Sequence, residues 1–440
     1  MIERDIMKNF IKILVSTTML ISFISTKASA RQAEKLTTPT QQCLRFDNVL
    51  KLAAQRDPTV IIAKAQETEA DAEIKDAKSL FRPQISAFGR SGFGDTGVVD
   101  SSISNQVGLR ASQRVFDFGD SKYARQAADS AFKASLEDTR QAQLQAALRT
   151  GFSYLEFIEA EEQIQLTNRR RDYFSRQLSA VDNLLSRGAA TRTERASVAS
   201  QLADADAFVL ELNFRKEQAL TQVQIDTGTQ APLCNARTTQ GVLKQNMAHL
   251  QNPELAAQMA LDKSPGISAL TKRAESLEAV RKREKRNRLP IIDLVATGSY
   301  SSIGGFNQFE FRDRIGVDVT VPLYSGNAIG ARNQRASARY AIARGRVLDA
   351  KRQLRKDVSI GYRRTLSLEA QLISRQDVEK QTLLQFEAAE IEQNAGTKTL
   401  RDLVEIRLEY EQAGFQRIRT KYDLMRQQLQ LLTLVAKTLE

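Results

Sequence analysis

Catalytic chemistry has few candidate residues in this sequence. The 440 residues include one histidine, His249, together with two cysteines and no tryptophan. A catalytic triad with a histidine base would have to use His249, and no cysteine or carboxylate lies near it at the spacing of metal ligands. We therefore expect no catalytic residues, no metal and no cofactor, and predict that the protein is not an enzyme.

Three short motifs resemble nucleotide-binding or catalytic signatures. Gly92–Gly97 fits G-x-G-x-x-G, but the surrounding pattern predicts two strands joined by a loop, so no helix begins there to bind a phosphate. Asp95-Thr96-Gly97 has the letters of an aspartic-protease site, which needs a second carboxylate that the second half of the chain lacks. Asp117-Phe118-Gly119 has the letters of a kinase triplet without the accompanying lysine strand or catalytic loop. All three are interpreted as turn residues.

The N-terminus predicts export. Residues 1–30 combine a basic start, an apolar run over 13–24 and a small-x-small cleavage site at Ala28-Ser29-Ala30, as in a secretory signal peptide. The alternative is a membrane anchor, but an apolar run of about 12 residues is shorter than the ~20 that span a bilayer. In an oxidising compartment Cys43 and Cys234 are predicted to form a disulfide, the alternative being two separately buried cysteines.

The formal net charge of +12 raises the question of nucleic-acid binding. One basic cluster comprises Arg281, Lys282, Arg283, Lys285, Arg286 and Arg288. It has no interleaved aromatic residues, shares its helix with several glutamates, and belongs to a chain predicted to be exported. We interpret it as a solvated helix end close to the strands and expect no nucleic-acid partner.

The chain consists of two similar halves. Asp57-Pro58 and Ser264-Pro265 each begin a helical pattern, and Arg82-Pro83 and Leu289-Pro290 follow at the same spacing. Three later pairs of segments also match, but the second half has gained one residue between the prolines and these segments. The pairs are Gly108-Leu109 with Gly316-Val317, Val115-Phe116-Asp117 with Leu323-Tyr324-Ser325, and Gly188-Ala189-Ala190-Thr191 with Gly396-Thr397-Lys398-Thr399. A loop can absorb that residue. The predicted repeats cover 31–231 and 253–440, with a linker over 232–252.

Each repeat changes periodicity twice. Period-two alternation predicts strands at about 84–94, 106–116, 291–301 and 313–323. Helical periodicity then predicts long helices at about 120–187 and 327–395, followed by helices at about 190–228 and 399–437. A helix of ~67 residues is about 100 Å long and must pack beside another. The last helix has a coiled-coil seam at Tyr422, Met425, Leu429, Leu432 and Ala436.

The predicted fold is mostly α with a small β part, in a duplicated helix-strand-strand-long helix-helix plan. Four amphipathic strands cannot close a barrel, and an open sheet leaves its edges exposed. If the apolar face meets lipid, a dimer gives eight strands and a trimer twelve, and only the larger barrel leaves a lumen wide enough for solutes.

These motifs resemble the TolC family of outer-membrane efflux and type I secretion channels, from about Phe46 to the C-terminus. Asp57-Pro58 resembles the family's Asn-Pro before the first helix, and the 82–83 and 289–290 pairs resemble its Leu-Pro before the first strand of each half. Val321-Pro322-Leu323-Tyr324-Ser325-Gly326 is similar to the family's Pro-Leu-aromatic-x-Gly strand ending. The first half departs from this ending because Arg114 replaces the proline.

The resemblance implies a homotrimer with a 12-stranded outer-membrane β-barrel, continued by a periplasmic α-helical coiled-coil barrel. It also implies three further partners, which are a periplasmic adaptor, an inner-membrane transporter that is ABC-type or proton-driven, and outer-membrane lipid. Adaptor recognition would fall on the Gly-x-x-Thr turns, here Gly188, Thr191, Gly396 and Thr399. A glycine after a long helix is also an ordinary helix C-cap, and both interpretations can hold.

The resemblance also assigns roles to charged residues near the second turn. Asp402 and Glu405 lie three apart on one helix face and match the family's ring of acids at the tunnel constriction. Such a ring attracts cations and repels anions; the alternative is an exposed acidic helix start. Glu194 and Lys398 match a charge pair that links neighbouring helices when the tip is shut.

The sequence therefore predicts a passive outer-membrane exit duct of a tripartite efflux pump or type I secretion system. The alternative is a periplasmic coiled-coil scaffold or adaptor that never enters a membrane. The matched amphipathic strands of both halves favour the duct. No residue decides between protein and small-molecule cargo.

Overall fold

The computed structural model describes residues 43–94, 102–234, 236–247, 250, 252–303 and 310–436. The predicted signal peptide, 1–30, and His249 lie outside the described residues.

Both halves of the chain have the same order of elements. The first comprises α1 Phe46–Arg56, α2 Pro58–Ser79, β1 Gln84–Gly94, β2 Ser102–Phe116, α3 Asp120–Ser186 and α4 Arg192–Thr227. The second comprises α6 Pro253–Lys263, α7 Pro265–Glu284, β3 Ile291–Ile303, β4 Glu310–Thr320, α8 Ala328–Asn394 and α9 Leu400–Leu434, with α5 Ala236–Met247 between the halves. The predicted fold class, mostly helical with four strands in a duplicated plan, is confirmed.

Two short helices precede the strands of each half. The break falls at Asp57 and Ser264, each followed by a proline that suits the first turn of a helix. The Asp57 side chain accepts a hydrogen bond from the Thr59 N–H at 2.7 Å, and Ser264 Oγ accepts one from the Ile267 N–H at 3.3 Å. These caps satisfy backbone donors at the start of α2 and α7.

The four strands form one antiparallel sheet in the order β1-β2-β3-β4. The central β2–β3 pairing joins the two halves, with Val107 opposite Tyr300 and Ala111 opposite Ala296. One face carries exposed apolar side chains: Ile85, Val107, Leu109, Leu294, Tyr300, Phe311, Ile315, Val317 and Val319. By the period of two, the other face carries Arg90, Arg110, Arg114, Asp293, Arg312, Arg314 and Asp318.

Several boundaries in the structure differ from those expected from the sequence, and three of the differences concern β4, α9 and the expected linker. Strand β4 ends at Thr320, two residues before Pro322, because proline has no N–H to donate to a ladder. Helix α9 ends at Leu434, and Ala436 has φ 55°, so the last member of the predicted seam lies beyond the helix. The expected linker contains α5, whose Leu243 is buried in the main core.

The main core lies where α1, α3 and α9 meet. The four seam residues within α9, Tyr422, Met425, Leu429 and Leu432, are all at most 1% exposed. They pack with Leu50 of α1 and with Leu155 and Ile158 of α3. Their burial follows from the three-four spacing, which keeps them on one face of the helix.

Gly151 allows α3 to approach this seam, and its replacement by valine is expected to destabilise the protein. A Cβ there would lie 2.6 Å from Leu429 Cδ2 and 3.0 Å from Leu50 Cδ2. Overpacking of this kind costs about 1–3 kcal/mol. The midpoint of thermal unfolding in detergent, followed by circular dichroism, should fall.

Gly241→Val is the matched control. Gly241 lies inside α5, and a Cβ there meets no atom within 4 Å. We expect its midpoint to stay level or rise slightly, because valine has a better helix propensity than glycine. Equal midpoints for the two variants would contradict the close approach at Gly151.

Candidate functional site

The candidate site consists of two helix-turn-helix tips, where α3 joins α4 and α8 joins α9. Gly188 and Gly396 have φ of 75° and 78°, a left-handed conformation that favours glycine. The Ala189 N–H bonds to the Leu184 carbonyl at 2.8 Å, and the Thr397 N–H bonds to the Glu392 carbonyl at 2.9 Å. These are equivalent bonds of a Schellman C-cap, so both long helices end in the same way.

A threonine three residues after each glycine begins the next helix. Thr191 Oγ1 accepts from the Glu194 N–H at 3.1 Å, while Glu194 Oε2 accepts from the Thr191 N–H at 2.7 Å. Thr399 and Asp402 form the same reciprocal pair, with both distances 3.2 Å. These are capping boxes. The Gly-x-x-Thr spacing thus places a C-cap and an N-cap at either end of one tight turn.

Asp402 and Glu405, the predicted constriction residues, are both exposed. The hydroxyl and N–H of Thr399 donate to the Asp402 carboxylate and hold its pKa below the ordinary value. Asp402 therefore caps its own helix while its charge stays in solvent. Whether these carboxylates converge on an axis depends on neighbouring copies of the chain.

Glu194 and Lys398, the predicted gating pair, have other partners within one chain. The N–H and hydroxyl of Thr191 donate hydrogen bonds to the Glu194 carboxylate and lower its pKa. Lys398 Nζ lies 2.9 Å from Glu392 Oε2, at the end of α8. The capping box could have been found from the Thr-x-x-Glu spacing, because it is a local motif. A link between neighbouring chains through Glu194 and Lys398 stays a prediction.

A cavity of about 320 Å³ lies between the starts of α4 and α9. Its lining comes from the first two turns of α4 and α9: Thr193, Glu194, Ser197, Val198, Leu400, Arg401 and Val404. Val198, Leu403 and Val404 belong to a core shared with α3 and α8. The tips therefore form one packed unit with a groove between their helix starts.

Sequence reasoning missed a buried charged cluster behind the tips. The Arg407 guanidinium carbon lies 4.6 Å from the Tyr173 ring centroid, 4.8 Å from that of Phe386 and 5.3 Å from that of Tyr410. Arg407 Nε donates to Glu411 at 2.7 Å, and Glu411 is 2% exposed. Burial raises the pKa of Glu411, against the opposing effect of Arg407.

Arg170 extends this cluster to a fourth helix. Its Nε lies 3.2 Å from Glu411, and a terminal nitrogen lies 2.9 Å from Asp204 of α4. The cluster therefore joins α3, α4, α8 and α9. The sequence signal within the cluster is local spacing, such as that of Arg407 and Glu411, four residues apart on one helix; the contacts between helices carry none.

Cys43 and Cys234 are bonded as a disulfide, across a sequence separation of 191 residues. The bond lies beside a parallel bridge between Leu44 and Leu233. The Tyr154 hydroxyl of α3 donates to the Cys234 carbonyl at 2.6 Å. The disulfide thus ties the segment before α1 to the segment after α4, against the main core.

Within the described ranges, no group of three or more histidine, cysteine or acidic side chains is placed to hold a metal. Within the same ranges, none of the helices combines the length and apolar character needed to cross a membrane.

The family model for outer membrane efflux proteins matches residues 49–229 and 256–437. The two matched segments correspond to the two halves of the fold. The chain belongs to the outer membrane efflux protein family. The resemblance to the TolC family found in the sequence is thereby confirmed. The relatives of this outer membrane efflux protein described next are efflux and secretion proteins by name.

Among curated relatives, the outer membrane efflux protein BepC of Brucella suis is 24% identical over 338 residues, 76% of this chain and 72% of BepC. The proteases secretion protein PrtF of Dickeya chrysanthemi is 27% identical over 195 residues, 43% of this chain and 42% of PrtF. The CmeC outer membrane channel of Campylobacter jejuni matches in structure with a TM-score of 0.74 at 18% identity, covering 90% of this chain and 86% of CmeC. The likeness to CmeC shows the fold.

Proposed function

We propose that three copies of this outer membrane efflux protein form a passive exit duct, with a 12-stranded barrel in the outer membrane and a helical tunnel in the periplasm. The observation that carries the proposal is the sheet, whose one face is apolar and exposed while the other is charged. A sheet of this kind is stable only when lipid covers the apolar face and the strands close into a barrel.

The apolar face has the height of a membrane. From Ile292 to Tyr300, strand β3 rises about 26 Å at ~3.3 Å per residue, close to the ~25 Å apolar band of outer-membrane barrels. The rings of Tyr300 and Phe311 lie 5.1 Å apart at the loop end of this band. Phe116 and Phe118 lie 4.6 Å apart at the helix end. Aromatic residues at both borders are typical of the two membrane interfaces.

Closure requires further copies of the chain. Strands β1 and β4 are the edges of the sheet, each paired on one side within the chain. Helix α8, which follows β4, carries an exposed apolar series: Ile342, Leu348, Ile360, Leu366, Ile373, Leu384 and Ile391. Such a series needs a partner helix. Three chains supply twelve strands and place α8 of one copy beside the next.

The tips give the duct its proposed gate. In a trimer, Asp402 and Glu405 would supply six carboxylates at the constriction, and the turns at Gly188, Thr191, Gly396 and Thr399 would bind an adaptor. Glu194 and Lys398 would link adjacent helices of the closed tip. Adaptor contact would open the tip by favouring a second packing of the coiled coils. An inner-membrane transporter would supply the energy.

Fractionation of cells that express the protein from its own signal sequence tests the duct. We expect an outer-membrane species that needs detergent for extraction, migrates as a trimer unheated and as a monomer when heated, and conducts ions in planar bilayers. A soluble periplasmic species would overturn the barrel and support a coiled-coil scaffold or adaptor instead.

Neutralising the constriction is expected to change ion selectivity. In Asp402→Asn with Glu405→Gln, the preference for cations in planar bilayers should fall several-fold, because the ring loses its field at the narrowest point. In the unchanged protein the preference should persist at pH 5, since the lowered pKa of Asp402 keeps its carboxylate ionised there.

Glu217→Gln with Asp377→Asn is the matched control. Both residues are exposed on α4 and α8, away from the tips, and the change in charge is the same. We expect the control to keep the cation preference. Equal loss of preference in both double variants would place the selectivity outside the proposed constriction.

A further inference from the structure

Exposed basic side chains gather where the helices meet the sheet. They come from the end of α2, the start of α3, the turn after α7 and the start of α8. We call them the basic belt: Lys78, Arg82, Lys122, Arg125, Lys285, Arg288, Arg332 and Arg335. Lys285 and Arg288 of the belt belong to the basic cluster that was predicted from the sequence to be a solvated helix end.

The strand register places all four segments at one level. Gln84 at the start of β1 pairs with Ser112 near the end of β2. Phe116, at the end of β2, pairs with Ile292 near the start of β3. Ile291 in turn pairs with Thr320, the last residue of β4. The four strands thus meet their helices at the same edge of the sheet.

Ion pairs identify the side of this junction that continues the charged sheet face. Arg114, on the charged face, lies 3.7 Å from Asp120 at the start of α3. Asp120 in turn lies 3.0 Å from Arg283 of α7. Asp120 and Arg283 therefore lie on the side of the proposed lumen.

Several belt residues lie on the opposite side. Lys122 and Arg125 follow Asp120 by two and five residues, which places them about 200° and 140° around the helix. Lys285 follows Arg283 by two residues in a helical turn, since its N–H bonds to the Arg281 carbonyl. These three side chains therefore lie on the side of the exposed apolar sheet face, where the proposed barrel meets lipid.

The belt borders an apolar and aromatic rim. Phe81, Phe116, Phe118 and Tyr324 are 43%, 49%, 41% and 90% exposed at the helix ends of the strands. Asp117 and Asp120, at the same level, are buried. The exposed charge beside this rim is therefore mainly positive, in the position where phospholipid headgroups begin.

We propose that the basic belt binds the phosphate groups of anionic phospholipids in the periplasm-facing leaflet. Long basic side chains extend from an apolar border to headgroup phosphates, and anionic lipid attracts clustered lysine and arginine. This inference rests on the proposed outer-membrane barrel, and it names the lipid that the barrel selects.

The test compares three proteins in phosphatidylcholine vesicles with or without one part in five of phosphatidylglycerol. The belt variant combines Lys122→Gln, Arg125→Gln, Lys285→Gln and Arg288→Gln. The control variant combines Lys351→Gln, Lys356→Gln, Arg363→Gln and Arg364→Gln. The control residues are also exposed, and the first of them lies about 35 Å along α8 from its start, well beyond the ~8 Å Debye length.

Lipid retained after detergent extraction and purification is measured by mass spectrometry. We expect the unchanged protein and the control variant to retain phosphatidylglycerol several-fold above its share of the vesicle, and the belt variant to lose that enrichment. Exchanging lysine for arginine and arginine for lysine at the four belt positions should preserve it. Equal enrichment in the belt and control variants, or none in the unchanged protein, would overturn the inference.

Insertion into pure phosphatidylcholine vesicles separates the two proposals. If the unchanged protein fails to insert there, the barrel itself is wrong. If it inserts as a trimer but shows no preference for phosphatidylglycerol, the barrel stands and the belt inference fails. Insertion of the belt variant into the same vesicles shows that its substitutions leave the fold intact.

Discussion

Replacing Cys43 and Cys234 by serine is expected to lower the free energy of unfolding by up to ~5 kcal/mol, through the chain-entropy effect of a long closed loop. The disulfide spans 191 residues, a separation that includes all of α3 and α4. Without it, the bridge between Leu44 and Leu233 must hold the segment before α1 by backbone bonds, such as that from the Cys234 N–H to the Leu44 carbonyl at 3.0 Å.

The loss can be measured as a shift of the urea midpoint in detergent, monitored by circular dichroism. Reductant should shift the midpoint of the unchanged protein in the same direction and leave the double-serine variant unaffected, which makes that variant its own control. An unchanged midpoint after complete reduction, verified by thiol labelling, would show that the disulfide contributes nothing to stability.

Arg407→Ala is expected to destabilise the tip region by about 3–5 kcal/mol, the usual cost of breaking a buried ion pair by removing one partner. The substitution leaves Glu411 with Arg170 as its remaining basic partner and removes the guanidinium from between the Tyr173, Phe386 and Tyr410 rings. Because the cluster joins all four tip helices, the loss should appear as local opening near the tips before global unfolding.

The pH dependence of this loss identifies its cause. The pKa of Glu411 is already raised by burial, and loss of Arg407 should raise it further. A carboxyl with a raised pKa in the folded state binds more protons folded than unfolded, so stability falls as pH rises through that pKa. The variant should therefore lose less stability at pH 5 than at pH 7.5.

Hydrogen exchange of the tip amides at both pH values provides the measurement. Lys421→Ala is a useful comparison, because Lys421 pairs with Glu162, which also has Arg417 3.2 Å away and the Tyr422 hydroxyl 2.9 Å away. We expect a smaller effect there. After division by the intrinsic exchange rate at each pH, an equal loss of protection at the two pH values in Arg407→Ala would indicate lost packing and not an uncompensated charge.

The tip turns show what local sequence can predict. Gly188 and Gly396 mark left-handed helix ends, and Thr191 and Thr399 mark the next helix starts, because both signals act within a few residues. The partners of Glu194 and Lys398 were missed for a different reason. The family resemblance concerns a link between neighbouring helices, which stays a prediction, whereas within one chain Glu194 belongs to a capping box and Lys398 pairs with Glu392 at the end of α8.

By itself, the sequence determined the features that arise from periodicity and from local caps: the duplicated plan, the long helices, the alternating strands, the seam of α9 and the Gly-x-x-Thr turns. Only the tertiary structure decided which distant side chains meet. Arg407 is surrounded by aromatic rings from three helices. Arg114 lies near the carboxylates of Asp120 on α3 and Asp293 on β3. Helix α5 packs its Leu243 into the core. The physical reason is the sequence distance over which each interaction acts. Hydrogen bonds within a turn depend on neighbours along the chain, whereas contacts of buried charges depend on how packed helices are aligned along their length.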